Sequence, residues 1–457
     1  MDFPDDFIIR TKQWLGNEYC QLEKALQEEE VPVSIRINPF KPSMPVAGYE
    51  KVKWCETGYY LPSRPSFTYD PLFHAGSYYV QEASSMFLEQ VIKQYISEPI
   101  VCLDLCAAPG GKSTHLLSVL PETSLIVSNE VIHSRSLILK ENLTKWGSPF
   151  SVLSNDDPKE IGYLTHLFDI IIADLPCSGE GLFRKEPNSR KEWSLAIVKL
   201  CAARQRRIVQ DIWNSLKPGG LLVYSTCTFN REENEENISY LINVFNAEVL
   251  PVSIDKDWGI CPAIDESFPV YRFYPHKIKG EGFCLTLLRK PDDKRLTIRT
   301  QKSKCNIQKS KHPSSSYVPP FIKSLVANAD TFQFEIKQNT IRAIPALHQD
   351  TYHLLFNNLR IVSAGVLIGE VKRNDFIPAS AFALSTCFRM DAFPSIELSL
   401  EDSISYLQKD SLMLSTDIPT GFVVVKYCNT PLGFVKNIGN RANNHYPNEW
   451  RIRKRLS

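Results

Sequence analysis

The chain has 457 residues, 43% hydrophobic and 23% charged, with 52 basic against 51 acidic side chains. That length exceeds one ordinary core and predicts two or three domains, and the composition excludes a fibrous or disordered chain. With a net charge of only +1, any nucleic-acid contact must come from local basic patches rather than a global field.

The start, Met1-Asp-Phe-Pro-Asp-Asp6, is acidic where a signal peptide is basic, and no apolar run reaches membrane-spanning length. A cytoplasmic protein with no membrane partner is expected. The twelve cysteines form no Cys-x-x-Cys pair and no zinc-like spacing with histidine, so free thiols and no metal are expected.

Four regions follow in chain order. Residues 1–80 are aromatic and proline-rich with weak helical patterns, and Val31-Pro-Val-Ser-Ile-Arg36-Ile-Asn38 alternates like a strand. In residues 81–291, strand-like runs alternate with helical stretches, which predicts an α/β fold with a mostly parallel sheet. Its strands are predicted at Pro99 to Leu105, Ser124 to Glu130, Phe150 to Ser154, Phe168 to Asp174 and Leu221 to Ser225, with an antiparallel end at Phe283 to Leu288. Helices are predicted over Ser134 to Trp146, Ala196 to Leu216 and Arg231 to Phe245. Residues 292–320 read as a basic, Ser/Pro-containing linker, free of acidic residues from Lys294 to Pro320. Residues 321–457 hold β-like runs such as Gly421 to Tyr427 and Pro431 to Lys436, then the basic end Trp450-Arg-Ile-Arg-Lys-Arg-Leu456, which predicts a small β-rich domain.

The chemistry concentrates in the second region. Cys177 and Cys227 each lie just past an apolar run, where reacting groups gather in open α/β sheets, although a cysteine there is as often a buried, inert residue. The first strand runs into Leu103-Asp-Leu-Cys106-Ala107-Ala108-Pro109-Gly110-Gly111-Lys112-Ser-Thr, a turn of small residues that opens a helix. Gly111-Lys112-Ser113 matches the end of a phosphate-binding P-loop, with Asp174 as its magnesium partner. Against that nucleotide hydrolase, Cys106 stands where the first glycine belongs and Pro109 removes an N–H. The competing reading is an adenosine-bearing cofactor, with Glu130 accepting from ribose hydroxyls and a carboxylate of Asn155-Asp156-Asp157 accepting from an adenine amino group.

Cys106-Ala-Ala-Pro-Gly-Gly-Lys112, Asp174-Leu-Pro-Cys177-Ser-Gly-Glu-Gly181 and Ser225-Thr-Cys227-Thr-Phe229 together resemble the S-adenosylmethionine-dependent RNA cytosine-5 methyltransferases of the Sun and nucleolar-protein family. The order and spacing fit across the whole second region. More loosely, Ser34-Ile-Arg36-Ile-Asn38 resembles the RNA-facing N-terminal segment of the bacterial branch that acts on small-subunit ribosomal RNA. Pro431-Leu-Gly-Phe and Asn444-His-Tyr-Pro447 resemble that branch's PUA-like domain.

The resemblance implies a Rossmann-like class I methyltransferase with a seven-stranded sheet, an N-terminal RNA-binding extension and a C-terminal β-rich PUA-like domain. It implies S-adenosyl-L-methionine as cofactor, held by Cys106 to Lys112, Glu130, Asp157 in preference to Asp156, and Asp174. Cys227 is implied as the nucleophile toward cytosine carbon 6, Asp174 as the acid beside the ring, and Cys177 as the aid to release. Phe183, Arg184 and Lys185 are expected to meet RNA. Ribosomal RNA is the favoured partner and transfer RNA the alternative, for a monomer; a non-catalytic RNA-binding protein is the other class considered.

Overall fold

The computed structural model describes residues 2–27, 30–42, 46–264, 267–292, 318–372 and 375–453. Its centre is a nine-stranded sheet. From one edge the strands are Glu248–Leu250, Phe283–Arg289, Leu216–Thr226, Phe168–Asp174, Val101–Asp104, Leu125–Asn129, Ser151–Ser154 and Ile361–Ala364, while Tyr271–Phe273 pairs beside Phe283–Arg289. The five strands from Leu216–Thr226 to Ser151–Ser154 are parallel, and Phe283–Arg289 runs against them.

A parallel sheet is covered on both faces, so its strands read as continuous apolar runs. In Phe168–Asp174, Ile170 and Ile172 enter one core with Val223 and Leu285, while Ile171 enters the opposite core with Val152 and Leu222. Helices Gly111–Val119, His133–Trp146, Leu195–Ile212 and Glu235–Phe245 supply the covering layers.

The six strands placed by the sequence are present, and three more are added, Glu248–Leu250, Tyr271–Phe273 and Ile361–Ala364. Ile361–Ala364, from beyond the predicted linker, pairs antiparallel with Ser151–Ser154 and covers what would be an open edge. Two helix boundaries differ from expectation. The helix predicted to Leu216 ends at Ile212, a single turn of 3-10 helix follows, and Leu216 opens a strand that continues to Thr226. The Lys217-Pro-Gly-Gly220 break is absorbed inside that strand, with Gly219 at φ +71° and a register shift against Phe168–Asp174. The helix predicted from Arg231 begins at Glu235, because side chains hold the preceding residues in a turn. Asn230 Oδ1 accepts from Glu233 N–H at 2.9 Å, and Asn234 Nδ2 donates to Thr228 O at 3.1 Å and Asn230 O at 2.7 Å.

At the N-terminus, helices Asp5–Leu15 and Tyr19–Gln27 bring Phe3, Phe7, Leu22 and Leu26 against Phe183, Trp193 and Phe229. A four-stranded antiparallel sheet follows, ordered Glu50–Lys51, Gly58–Leu61, Val33–Ile37, Tyr78–Val80.

Here the reading of Ser34 to Asn38 as an RNA-facing segment is corrected. Ser34, Arg36 and Asn38 are all buried. Arg36 donates to Gln81 Oε1 at 2.8 Å and Thr114 Oγ1 at 2.6 Å and lies 4.5 Å from the centre of the Trp146 ring. It is a strut between this sheet and the helix Gly111–Val119.

Beyond residue 317 lie two further four-stranded sheets. Phe332–Lys337, Thr340–Pro345, Val366–Lys372 and Asp375–Pro378 form one; Ser395–Glu397, Gly421–Tyr427, Thr430–Asn437 and Ala442–Asn444 form the other. The predicted linker lies outside the described residues except for Asp292 and Val318 to Pro320, as does the end of the basic terminus, Lys454 to Ser457. Among the described residues no helix is long and apolar enough to cross a membrane.

Candidate active site

The strand Val101–Asp104 leads into Leu105 to Gly110 and then directly into the helix Gly111–Val119. Gly110 takes φ +120°, a conformation that favours glycine, and a Cβ there would stand a tight 3.1 Å from Leu139 Cδ1. Neighbours fix the turn: Ala107 N–H donates to Asn129 O at 2.9 Å, Arg135 to Ala108 O at 2.7 Å and Asn142 Nδ2 to Pro109 O at 2.8 Å. Cys106 to Pro109, Gly111, Lys112 and Asp174 line one wall of a cleft of about 200 Å³, and Tyr79, Gln81 and Glu82 of the N-terminal region line the other. Sequence reading missed this second wall, which tertiary packing alone brings there.

The P-loop reading fails on the hydroxyls. Ser113 Oγ, fully buried, donates to Asp104 Oδ2 at 2.6 Å, and Thr114 Oγ1 donates to Gly110 O at 2.8 Å. Neither is disposed to hold the magnesium ion that a P-loop needs.

Acidic groups follow at successive strand ends, hydrogen-bond acceptors of the kind an adenosine-bearing cofactor calls for. Glu130 is 3% exposed; one oxygen accepts from Ile132 N–H at 2.9 Å and the other lies 3.4 Å from Arg135. Asp156 is committed elsewhere, accepting from Arg360 N–H at 2.9 Å and Nε at 3.2 Å. Asp157 is exposed and uses Oδ1 to cap the helix Pro158–Gly162 through Lys159 N–H at 3.0 Å. This division favours Asp157 over Asp156 as the cofactor acid. Asp157→Ala is therefore expected to weaken S-adenosylmethionine binding about tenfold by calorimetry, the scale of one hydrogen bond to a charged group. Asp156→Ala is expected to lower the melting temperature instead, by releasing Arg360.

The strands Phe168–Asp174 and Leu216–Thr226 are paired at Asp174 and Ser225, and that register brings the two cysteines just beyond them together. Cys177 Sγ and Cys227 Sγ are 3.0 Å apart, and Cys227 N–H donates to Cys177 Sγ at 3.3 Å. The Cys227 sulfur and burial both push the Cys177 thiol well above its ordinary range, so a thiolate is harder to form at Cys177. Asp174 accepts from Lys112 Nζ at 2.7 Å through one oxygen and from Ser225 Oγ at 2.8 Å through the other. Burial works to lower the Lys112 ammonium, yet Asp174 holds it above its ordinary range. Lys112 and Asp174 thus stand as an ion pair 2.7 Å apart in the cleft.

The two cysteine loops are closely joined. Gly181 N–H donates to Cys227 O at 2.9 Å, and a Cβ at Gly181 would fall 2.8 Å from that oxygen and 2.5 Å from Gly282 O. Glu233, which the sequence reading passed over, is buried beneath the Cys177 loop. Its only sequence signal is an acidic and amide run, Glu232 to Asn237, directly after the Thr-Cys motif.

Two expected RNA contacts are corrected. Phe183 is fully buried against Phe3 and Phe7, and Arg184 is spent on Glu281 and Gly280 O, at 2.9 and 2.7 Å. Lys185 is exposed.

Cys55, Glu89 and His115 form a buried trio with metal-ligand chemistry, away from the cleft. Burial pushes Cys55 up to about 12 and His115 down to about 4, the Arg36 guanidinium adds to the fall at His115, and Lys93 is 2.7 Å from Glu89. The trio already has its cations.

A mostly parallel sheet in this order, with a glycine turn and successive acids at its carboxyl ends, defines a class I methyltransferase, and S-adenosyl-L-methionine is its cofactor. The family model for 16S rRNA methyltransferase RsmB/F matches residues 95–289, that for the N-terminal domain of 16S rRNA methyltransferase RsmF matches 3–83, and that for the methyltransferase RsmF PUA domain matches 393–452. The chain belongs to the RsmB/F methyltransferase family. Ribosomal RNA small subunit methyltransferase F of Shewanella loihica is 30% identical, covering 88% of this chain and 83% of its own. Its namesake from Shewanella piezotolerans is 27% identical, covering 98% and 97%.

Among solved structures, a methyltransferase homolog protein from Pyrococcus horikoshii is 28% identical with a TM-score of 0.54, covering 63% of this chain and 95% of its own. NSun6 from the same organism, solved with SFG, shares the fold at 23% identity and a TM-score of 0.55, covering 64% and 99%.

Proposed function

We propose that this chain methylates carbon 5 of a cytosine in small-subunit ribosomal RNA through a covalent bond between Cys227 and carbon 6 of the ring. The observation that carries this reading is the pair of strand-end thiols 3.0 Å apart together with the Lys112–Asp174 pair. The names of the full-length relatives support the substrate, and the matched PUA segment supports RNA contact through residues 321–457 rather than through Ser34 to Asn38.

Cytosine carbon 5 is too weak a nucleophile to react unaided. Cys227 sulfur adds to carbon 6, and the electron pair released moves onto the ring, with charge on the side of N3 and O2. Lys112 and Asp174 form a paired cation and acceptor to orient that edge and meet the charge. S-adenosylmethionine supplies an electrophilic methyl group when bound. Once carbon 5 is methylated its hydrogen leaves as a proton to solvent water, the electron pair of that bond restores the ring double bond, and the carbon–sulfur bond breaks with its pair returning to Cys227 as thiolate, with Cys177 assisting. The protein acts as a cytoplasmic monomer.

Bisulfite sequencing of RNA from cells with and without the gene is the test. Loss of methylation at a small-subunit cytosine is expected; loss confined to transfer RNA, or no loss, overturns the substrate.

A further inference from the structure

We propose that Glu233 is the positioning residue for the release step, holding the segment around Cys177 so that its sulfur stays against Cys227. This rests on the roles given to the two cysteines under Proposed function.

The geometry is a two-sided grip. Glu233 Oε2 accepts from Ser178 N–H at 3.0 Å, the amide that directly follows Cys177. The same oxygen accepts from Gln205 Nε2 at 2.8 Å, and that amide group also donates to Pro176 O at 3.0 Å, the carbonyl that directly precedes Cys177. Both peptide groups flanking the cysteine are therefore tied to one carboxylate, one directly and one through Gln205. Oε1 accepts from Asn230 Nδ2 at 2.7 Å.

Glu233 is anchored from the other loop. Its N–H donates to Asn230 Oδ1 at 2.9 Å, and its carbonyl accepts from the Tyr224 hydroxyl at 2.6 Å, on the strand that ends at Thr226. The residue thus cross-braces the chain carrying Cys227 to the chain carrying Cys177.

A buried carboxylate is costly to keep, and this one shows the cost: burial pushes it up to about 7 against the bonds from Ser178 and Asn230. Three donors converge on two oxygens, an arrangement only an acceptor-only group satisfies. Glutamine in its place would turn an NH2 toward one of those donors, loosening the grip with almost no change in volume.

The test compares Glu233→Gln with Cys177→Ala in the full chain. For Glu233→Gln, methyl transfer in the first turnover should persist. Multiple turnover should fall about 10²-fold, the scale of a reacting group misplaced by about 1 Å, and a covalent protein–RNA complex should accumulate on denaturing gels.

If Cys177→Ala itself traps no complex, the assignment of the two cysteines fails. If Cys177→Ala traps a complex and Glu233→Gln turns over normally, the positioning role fails. Equal loss of first turnover and complex in Glu233→Gln makes the residue a fold element and likewise overturns the proposal. Should Glu233→Gln not fold, Gln205→Met, which cuts the Pro176 anchor and the Gln205 bonds to Glu233, Tyr224 and Asn237 but leaves Ser178 N–H on Glu233, decides by the same gel: a trapped complex supports the brace, and normal turnover overturns it.

Discussion

Cys227→Ala is expected to yield neither methylated RNA nor a covalent complex, while Cys177→Ala is expected to start the reaction and stall as a protein–RNA adduct. The two sulfurs are neighbours, so proximity to the base alone does not separate their roles. The Cys227 sulfur and burial push the Cys177 thiol well above its ordinary range, so a thiolate is harder to form there. A nucleophile must act as thiolate, and the family resemblance gives that role to Cys227 of the Thr-Cys motif. Removing it takes away the first bond-forming step, and methylation should fall by about 10⁴-fold or more, as when other enzymes lose a nucleophile. Removing Cys177 leaves that step intact and impairs the last one. Incubation with substrate RNA and S-adenosylmethionine, followed by denaturing electrophoresis with labelled RNA, reads both outcomes. A shifted band with Cys227→Ala and none with Cys177→Ala would reverse the roles.

The legible part of this site was what lies in sequence order along buried strands. Phe168–Asp174 is a run with both faces covered, so its bounds could be read, and the cysteines stand out because each follows such a run. Partners contributed by distant chain were not legible. Nothing local couples Glu233 to Ser178, Ser225 to Asp174, or Tyr79 and Glu82 to the cofactor turn, since these contacts exist only once strands and domains have paired. Arg36 shows the opposite failure. A basic residue in an alternating strand suggests an outward face, yet packing covers both sides of this strand, and Gln81, Thr114 and the Trp146 ring satisfy the guanidinium. Arg184 was misread for the same reason, its charge being spent on Glu281 inside the protein.

The same long-range logic sets the largest stability effect, at Arg272. Its side chain is 2% exposed and that of Glu235 is 0% exposed. Arg272 Nε donates to Glu235 Oε1 at 2.7 Å and Nη2 to Oε2 at 2.5 Å, a parallel two-bond pairing, while Nη1 donates to Phe229 O at 2.8 Å. One guanidinium therefore joins the strand Tyr271–Phe273, the first turn of helix Glu235–Phe245, and the loop just past Cys227. Arg272→Ala would leave a buried carboxylate without its counter-charge and the Phe229 carbonyl without its donor. Deleting one partner of such a pair costs about 3–5 kcal/mol, well above a surface ion pair at about 0–1 kcal/mol. Replacing both partners, Arg272→Met with Glu235→Met, should recover most of that loss, because no lone charge remains. The comparison is a double-mutant cycle of Arg272→Met, Glu235→Met and their combination, by urea unfolding of the full chain, following the transition of the central sheet. A single-variant loss under about 1 kcal/mol would show the pair to be no better than a surface contact. Turnover should separate the variants as well: the double replacement regains stability but not the bond to Phe229 O, so the loop carrying Cys227 stays loosened and activity remains low.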